Sequence, residues 1–243
     1  MTGPVSPARR WLRPLNSPAH AEVRLICFPH AGAGASVYRR WLPHVPRDHE
    51  LWAVQYPGRE DRVAEPSPPD LSSLARHVAF ALQWTADKPY VLFGHSMGAV
   101  LAHETCRHVA LLGLPAPRRL VVSGSAPPAS AGAACRAEAG TPPEWLDERA
   151  APGAETTTLA TQALDADIDL LSRHRPTEAP ALDVPLVTLR GADDPSVPPD
   201  AADGWQALTT GKAESVLLEG GHFTCFTHPG ATVRHVVQAV EDL

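Results

Sequence analysis

Four cysteines, Cys27, Cys106, Cys135 and Cys225, are all that 243 residues contain, and none belongs to a Cys-x-x-Cys pair. That excludes a disulfide framework or a zinc ribbon and points to a reducing cytoplasm. The amino terminus lacks the apolar stretch of a signal peptide. No apolar run approaches the roughly 18 residues that a membrane span needs. An excess of positive charge is also missing: the formal net charge is -6, which argues against a nucleic-acid surface and leaves only local basic patches. Arg39-Arg40, Arg118-Arg119 and the pair Arg59 and Arg62 are such patches, each read as solvated surface arginine. The twelve histidines show no metal-ligand spacing, so neither a metal nor another cofactor is expected.

What the chain does have is a rhythm of short apolar runs: Val23 to Phe28, Leu51 to Gln55, Tyr90 to Phe93, Leu120 to Val122, Pro185 to Leu189 and Val216 to Leu218. Runs of this length and composition suit buried parallel strands. Helical patterns fall between most of them. Asp70 is placed to cap a helix with the stripe Leu71, Leu74, Ala75, Val78, Ala79 and Leu82, and Pro229 opens another with Val233, Val236, Val237 and Val240. Strands alternating with helices predict an α/β fold, a mostly parallel sheet covered on both faces, within one domain. The first twenty residues, rich in Pro and Arg, are expected to form a loose arm. The stretch 126–181 has no convincing strand. There, Thr141-Pro142-Pro143-Glu144 resembles a capping box before Trp145 and Leu146, and Ala160, Leu164, Ile168 and Leu171 share one helical face. It is expected to be a small helical lid.

The chemistry centres on Gly94-His95-Ser96-Met97-Gly98, which follows a strand pattern and precedes a helical one. A Gly-x-Ser-x-Gly alone arises by chance in roughly one chain in ten of this length, so context must carry the assignment. Strand, sharp turn and helix make a nucleophile elbow, in which two small glycines let a serine hydroxyl stand where base and substrate both reach it. Two candidate partners each follow a strand: Gly191-Ala192-Asp193-Asp194-Pro195 and Gly220-Gly221-His222-Phe223. The order Ser, Asp, His is that of the α/β-hydrolase triad. His222 would take the proton of Ser96, and an aspartate would fix its tautomer; Asp193 and Asp194 both compete for that role. The oxyanion needs two N–H donors. Met97, directly after the nucleophile, supplies one; Ala31, in the small-residue loop His30-Ala31-Gly32-Ala33-Gly34, is the expected second. His30 and His95 are read as packing or loop-bracing groups, and Cys225 as a small buried hydrophobe.

With these residues placed, the chain resembles the type II thioesterases of polyketide synthase and nonribosomal peptide synthetase systems, almost end to end. The carriers are Phe28-Pro29-His30-Ala31-Gly32, Gln55-Tyr56-Pro57-Gly58-Arg59-Glu60, Gly94-His95-Ser96-Met97-Gly98, Gly191-Ala192-Asp193-Asp194-Pro195 and Gly220-Gly221-His222-Phe223. The Tyr-Pro-Gly-Arg-Glu run is the most specific, since general esterases have no reason to contain it. The resemblance implies an α/β-hydrolase fold, a triad of Ser96, Asp194 and His222, and Ala31 and Met97 as oxyanion donors. It further implies hydrolysis of acyl thioesters on the phosphopantetheine arm of acyl or peptidyl carrier proteins; a monomer with no cofactor of its own is expected. Three departures bear on acyl preference: Gly32-Ala33-Gly34 where Gly-Gly-Ser is common, Thr224 where a second aromatic is common, and a short lid. A carboxylesterase and an acyltransferase or cyclase would use the same triad; a non-enzymatic acyl-binding module is the reading from another class.

Overall fold

Successive side chains along the central strands divide between two cores, one on each face of the sheet. The computed structural model describes residues 7–85, 87–132 and 154–241. Its strands are β1 (Leu12–Pro14), β2 (Val23–Phe28), β3 (His49–Val54), β4 (Tyr90–His95), β5 (Arg119–Ser123), β6 (Leu186–Gly191) and β7 (Ala213–Leu218). They form one sheet of order β1-β3-β2-β4-β5-β6-β7, in which every neighbouring pair is parallel except β1 with β3. Leu25 and Cys27, Val91 and Phe93, and Val187 and Leu189 point into one core. Ile26 and Phe28, Leu92, and Leu186 point into the other. A period of two with both faces buried is what turns such strands into unbroken apolar runs.

Helix α1 (Pro7–Trp11) precedes the strands, α2 (Leu71–Leu82), α3 (Met97–Leu111), α4 (Ala154–Arg173) and α5 (Ala201–Gln206) lie between them, and α6 (Thr224–Thr227) and α7 (Pro229–Glu241) follow them, with a 3-10 segment over Ala35–His44. The expected cap is present: Asp70 Oδ1 accepts from the Ser73 N–H at 2.6 Å, and every residue of the α2 stripe is buried against the first core. In α7, Val233, Val236 and Val237 face the second core; the side chain of Val240 lies outside the described residues. Among the described residues no helix is long and apolar enough to cross a membrane.

One topological feature decides where chemistry happens. Strands β2 and β4 are parallel neighbours, with Phe28 opposite Gly94. The chain leaves β2 through the 3-10 segment on the second core's side toward β3. It leaves β4 through α3 on the first core's side toward β5. Connections that depart in opposite directions open a crevice at the carboxyl ends of the two strands, which is where ligands bind in open α/β sheets. The loop beginning at Pro29 and the turn at Ser96 are the walls of that crevice.

Two expectations are corrected. The first twenty residues are not a loose arm where described: α1 and β1 form, Leu12 is fully buried, and the Leu15 and Gln55 N–H groups donate to the carbonyls of Leu51 and Trp11, both at 2.8 Å. The Pro- and Arg-rich composition hides a three-residue strand because its stability comes from the otherwise open edge of β3, not from local propensity. In α4 the buried face is Ala163, Asp167, Leu170 and Leu171, while Ala160, Leu164 and Ile168 are only half-buried. A stripe counted from apolar residues cannot register an acid drawn inward by a partner from elsewhere in the chain. The capping-box residues 141–146, and Cys135, lie outside the described residues.

Because Leu12 sits under the sheet edge, Leu12→Ala is expected to lower the unfolding free energy by about 2–5 kcal/mol. Arg9→Ala, at an exposed position of α1, should change it by no more than about 0.5 kcal/mol; urea denaturation checks both.

Candidate active site

Ser96 occupies a backbone conformation that few side chains adopt, with φ 55 and ψ -122. Such a turn costs on the order of 1–3 kcal/mol and persists only when its surroundings hold it. Here they do: the Ser96 N–H donates to the Ser123 carbonyl at 2.8 Å, and the Ser96 carbonyl accepts from Ala99 at 2.9 Å. The flanking glycines are required by space. A Cβ on Gly94 would collide with the Gly98 carbonyl, and one on Gly98 with the carbonyls of Phe28 and Pro29. Helix α3 begins at Met97, so the Met97 N–H belongs to the first turn, whose N–H groups have no carbonyl partner within the helix.

The loops after β6 and β7 lean on each other to bring the acid to the imidazole. The Ala192 N–H donates to the Leu218 carbonyl at 2.8 Å, and Asp193 N–H to the Gly220 carbonyl at 3.0 Å. His222 Nδ1 then lies 2.9 Å from Asp194 Oδ2. Of the two adjacent acids only Asp194 makes this contact; Asp193 is exposed. Burial works against the Asp194 charge, but hydrogen bonds from His222 and Ser196 outweigh it and hold the carboxyl below its usual range. An ionised carboxylate only accepts, so Nδ1 carries a proton and the neutral ring keeps Nε2 as its basic nitrogen.

His95, beside the nucleophile, is fully buried, and its ring centroid lies 4.8 Å from that of His222. Burial, with the nearby rings of His222 and His30, pushes its pKa far down, so it stays neutral and packs. Gly124, at φ 57, leaves room for this pair; a Cβ there would sit 2.6 Å from His95 Cε1 and 3.4 Å from His222 Cε1. His30 is buried edge-on against Phe223 and Phe226. Cys225 is fully buried, and burial raises its thiol pKa well above the ordinary value, which removes the thiolate a nucleophile requires.

The loop carrying Ala31 is braced along its whole length. Tyr38 and Tyr56 hydroxyls donate to the carbonyls of Phe28 and Pro29 at 2.7 and 3.0 Å. Gln55 Oε1 accepts from the Ala35 N–H at 2.8 Å, and Glu60 Oε1 from the Ser36 hydroxyl at 2.6 Å. His30 Nδ1 reaches the Ala31 carbonyl at 2.9 Å. Gly32, at φ 75, donates its N–H to Asp167 Oδ2 at 2.8 Å. Arg59 donates to the Pro57 carbonyl at 3.0 Å and to the Ala33 carbonyl at 3.3 Å, and closes a two-pronged ion pair with Asp167. The Gln55-to-Glu60 run is therefore a scaffold for the loop opposite the nucleophile.

A thioesterase-domain family model matches residues 23–240, a span that contains every one of these groups. The chain belongs to the thioesterase family. It is 36% identical, over 96% of its length, to a Streptomyces griseus protein named as a cadicidin biosynthesis thioesterase, of which it spans 66%. RedJ, a thioesterase from the prodiginine pathway of Streptomyces coelicolor, superposes with a TM-score of 0.79 at 32% identity over 92% of both chains. BorB, a type II thioesterase from the borrelidin cluster, gives 0.80 at 29% identity, covering 95% of this chain and 97% of that one. The sheet and its flanking helices are accordingly those of an α/β-hydrolase thioesterase.

The arginines expected to be solvated divide into two groups. Arg39, Arg40 and Arg118 are exposed as expected, but Arg59, Arg62 and Arg119 are buried. Arg62 lies over the Trp11 ring at 4.1 Å and donates to the Gln55 carbonyl at 2.7 Å; Arg119 lies 3.7 Å from Glu214. Asp167, Gln55, Glu60 and Gly124 serve the site without having been singled out as individuals. The Tyr-Pro-Gly-Arg-Glu run ends on Glu60 and marks Gln55 as its neighbour, whereas Asp167 sits among Asp165 and Asp169 with no local mark.

A folded-state carboxyl held low stabilises the fold above its unfolded pKa, and that contribution is lost as pH falls toward the folded value. For Asp194 the window opens below about pH 4. Urea midpoints of the wild type are thus expected to fall more steeply there than those of Asp194→Asn; parallel curves would show that Asp194 is not held low.

Proposed function

We propose that the protein removes acyl groups from the phosphopantetheine arm of acyl or peptidyl carrier proteins in polyketide or nonribosomal peptide biosynthesis, clearing stalled or wrongly loaded chains. Ser96 attacks the thioester carbonyl while His222 Nε2 takes its proton. Asp194 holds the tautomer and stabilises the imidazolium. The oxyanion is received by the Ala31 and Met97 N–H groups. The thiol of the arm leaves with the proton from His222, and water repeats the sequence on the acyl-serine. No resident cofactor is needed, because the acyl group arrives activated on sulfur. The observation that carries this reading beyond a generic esterase is the use of the Gln55-to-Glu60 run, with Gln55, Tyr56 and Arg59 buried, as a brace for the Ala31 loop. The biosynthetic names of the relatives support the same substrate class. A monomer acting in the cytoplasm, with segment 126–181 as a cover for the arm, completes the proposal.

Phosphopantetheinyl carrier proteins loaded with acetyl, propionyl, malonyl, butyryl or aminoacyl groups are the test, beside matched p-nitrophenyl esters. Ser96-dependent release should be faster from carriers; inert carriers with cleaved esters would make this a general esterase, and a lactone or amide product would make it a cyclase or transferase. Ser96→Ala should lose on the order of 10⁶-fold and Asp194→Asn about 10⁴-fold in kcat. Because His222 must be neutral in the free enzyme, kcat/KM should fall on the acid side. A rate flat down to about pH 4.5 would remove His222 from the base role.

A further inference from the structure

The proposed mechanism leaves one wholly buried acid without a task. Asp167 stands on α4, with no side-chain exposure, between Asp165 and Asp169, which face solvent. Three donors converge on it. Arg59 Nη2 reaches Oδ1 at 2.7 Å, Arg59 Nη1 meets Oδ2, and the backbone N–H of Gly32 donates to the same Oδ2 at 2.8 Å. Arg59 is itself only 6% exposed, and its guanidinium lies 5.1 Å from the centroid of the Tyr56 ring. Burial disfavours its charge, yet the Asp167 carboxylate raises its pKa above the ordinary value. The acid is thus the joint between three segments distant in sequence: α4, the Tyr56-to-Glu60 run and the loop after β2.

We propose that Asp167 is a positioning residue for hydrolysis, setting the oxyanion donor through the peptide next to it. The inference rests on the assignment of the Ala31 N–H as donor made above. Gly32 sits at positive φ, where glycine has the freedom to turn. Its N–H is held toward Asp167, which fixes the Ala31–Gly32 peptide plane and so the loop from which the Ala31 N–H points. A donor to a developing oxyanion must hold its place within about half an ångström. The ion pair adds a condition: α4 cannot leave its seat at Asp167 without stranding a buried guanidinium, which is strongly unfavourable. Seating of α4 and geometry of the oxyanion hole are therefore one equilibrium, coupled through a single carboxylate.

The test compares wild type, Asp167→Asn and the double variant Arg59→Met/Asp167→Leu, with Ser96→Ala as blank. The substrate is a butyryl N-acetylcysteamine thioester, and the probe is butylboronic acid, whose tetrahedral adduct on serine places an oxygen in the oxyanion hole. Asp167→Asn is expected to lower kcat about 10- to 100-fold with KM within about twofold, and to weaken the boronate by a similar factor. The double variant leaves no unpaired buried charge and is expected to fold while showing the same kcat loss, which separates positioning from stability. A loss confined to KM, an unchanged boronate affinity, or a folded double variant with wild-type kcat would overturn the proposal. Wild-type protein without Ser96-dependent hydrolysis would defeat the proposed mechanism itself, and this inference with it.

Discussion

The structure depends on how closely three stretches of backbone approach at the carboxyl ends of β2 and β4. Gly94 lets the elbow close upon Gly98 and Ala99, and Gly98 lies directly against the carbonyls of Phe28 and Pro29. A larger residue at Gly98 pushes α3 away from β2, and one at Gly94 pushes α3 away from β4. With it would go the distance between the serine turn and the Ala31 loop, the two walls of the crevice. The strained φ of Ser96 is tolerable because the Ser123 carbonyl, at the end of β5, holds the Ser96 N–H. One local strain is thus supported by three neighbouring strands, and the serine is presented without being able to relax.

Around that junction the chain solves a second problem, which is how to keep loops rigid without regular secondary structure. The segment after β2 has small residues and a left-handed glycine, and by itself would sample many shapes. Its carbonyls and N–H groups are instead taken up by Tyr38, Tyr56, Gln55, Glu60, Arg59 and Asp167. Buried polar groups are expensive unless every partner is present. The same cost that makes such a network precarious makes it specific, since a partly assembled version leaves charges stranded. The acid–imidazole side of the crevice works differently. There the loops after β6 and β7 meet by main-chain hydrogen bonds, so the Asp194–His222 contact is an outcome of backbone docking.

Much of this was legible in the sequence where the signal is local. The run Val23–Phe28 is a strand with the bounds its apolar residues suggest, and Asp70 caps α2 because its short carboxylate accepts an N–H of the first turn that has no partner within the helix. The elbow was legible because strand, turn and helix leave different marks in one short window. The edge strand Leu12–Pro14 was not, because three residues have no period and their partner is the rim of β3. The inward turn of Asp167 was hidden for a related reason: along α4 it looks like its exposed neighbours, and its partner Arg59 lies far away in the chain. Arg59 looked like a solvated cation on the same grounds.

The sequence by itself determined the class of fold, the order of the chemistry-bearing loops and the residue types at the reacting centre. Those properties follow from apolar periodicity, glycine at crowded turns and side-chain chemistry, all of which act over a few residues. Only the tertiary structure decided which of two adjacent aspartates meets His222, which arginines are buried, and which acid joins α4 to the loop after β2. Those choices depend on where separate segments dock, and the free energy of burying a charge is set by the partner that arrives, not by the residues beside it in the chain.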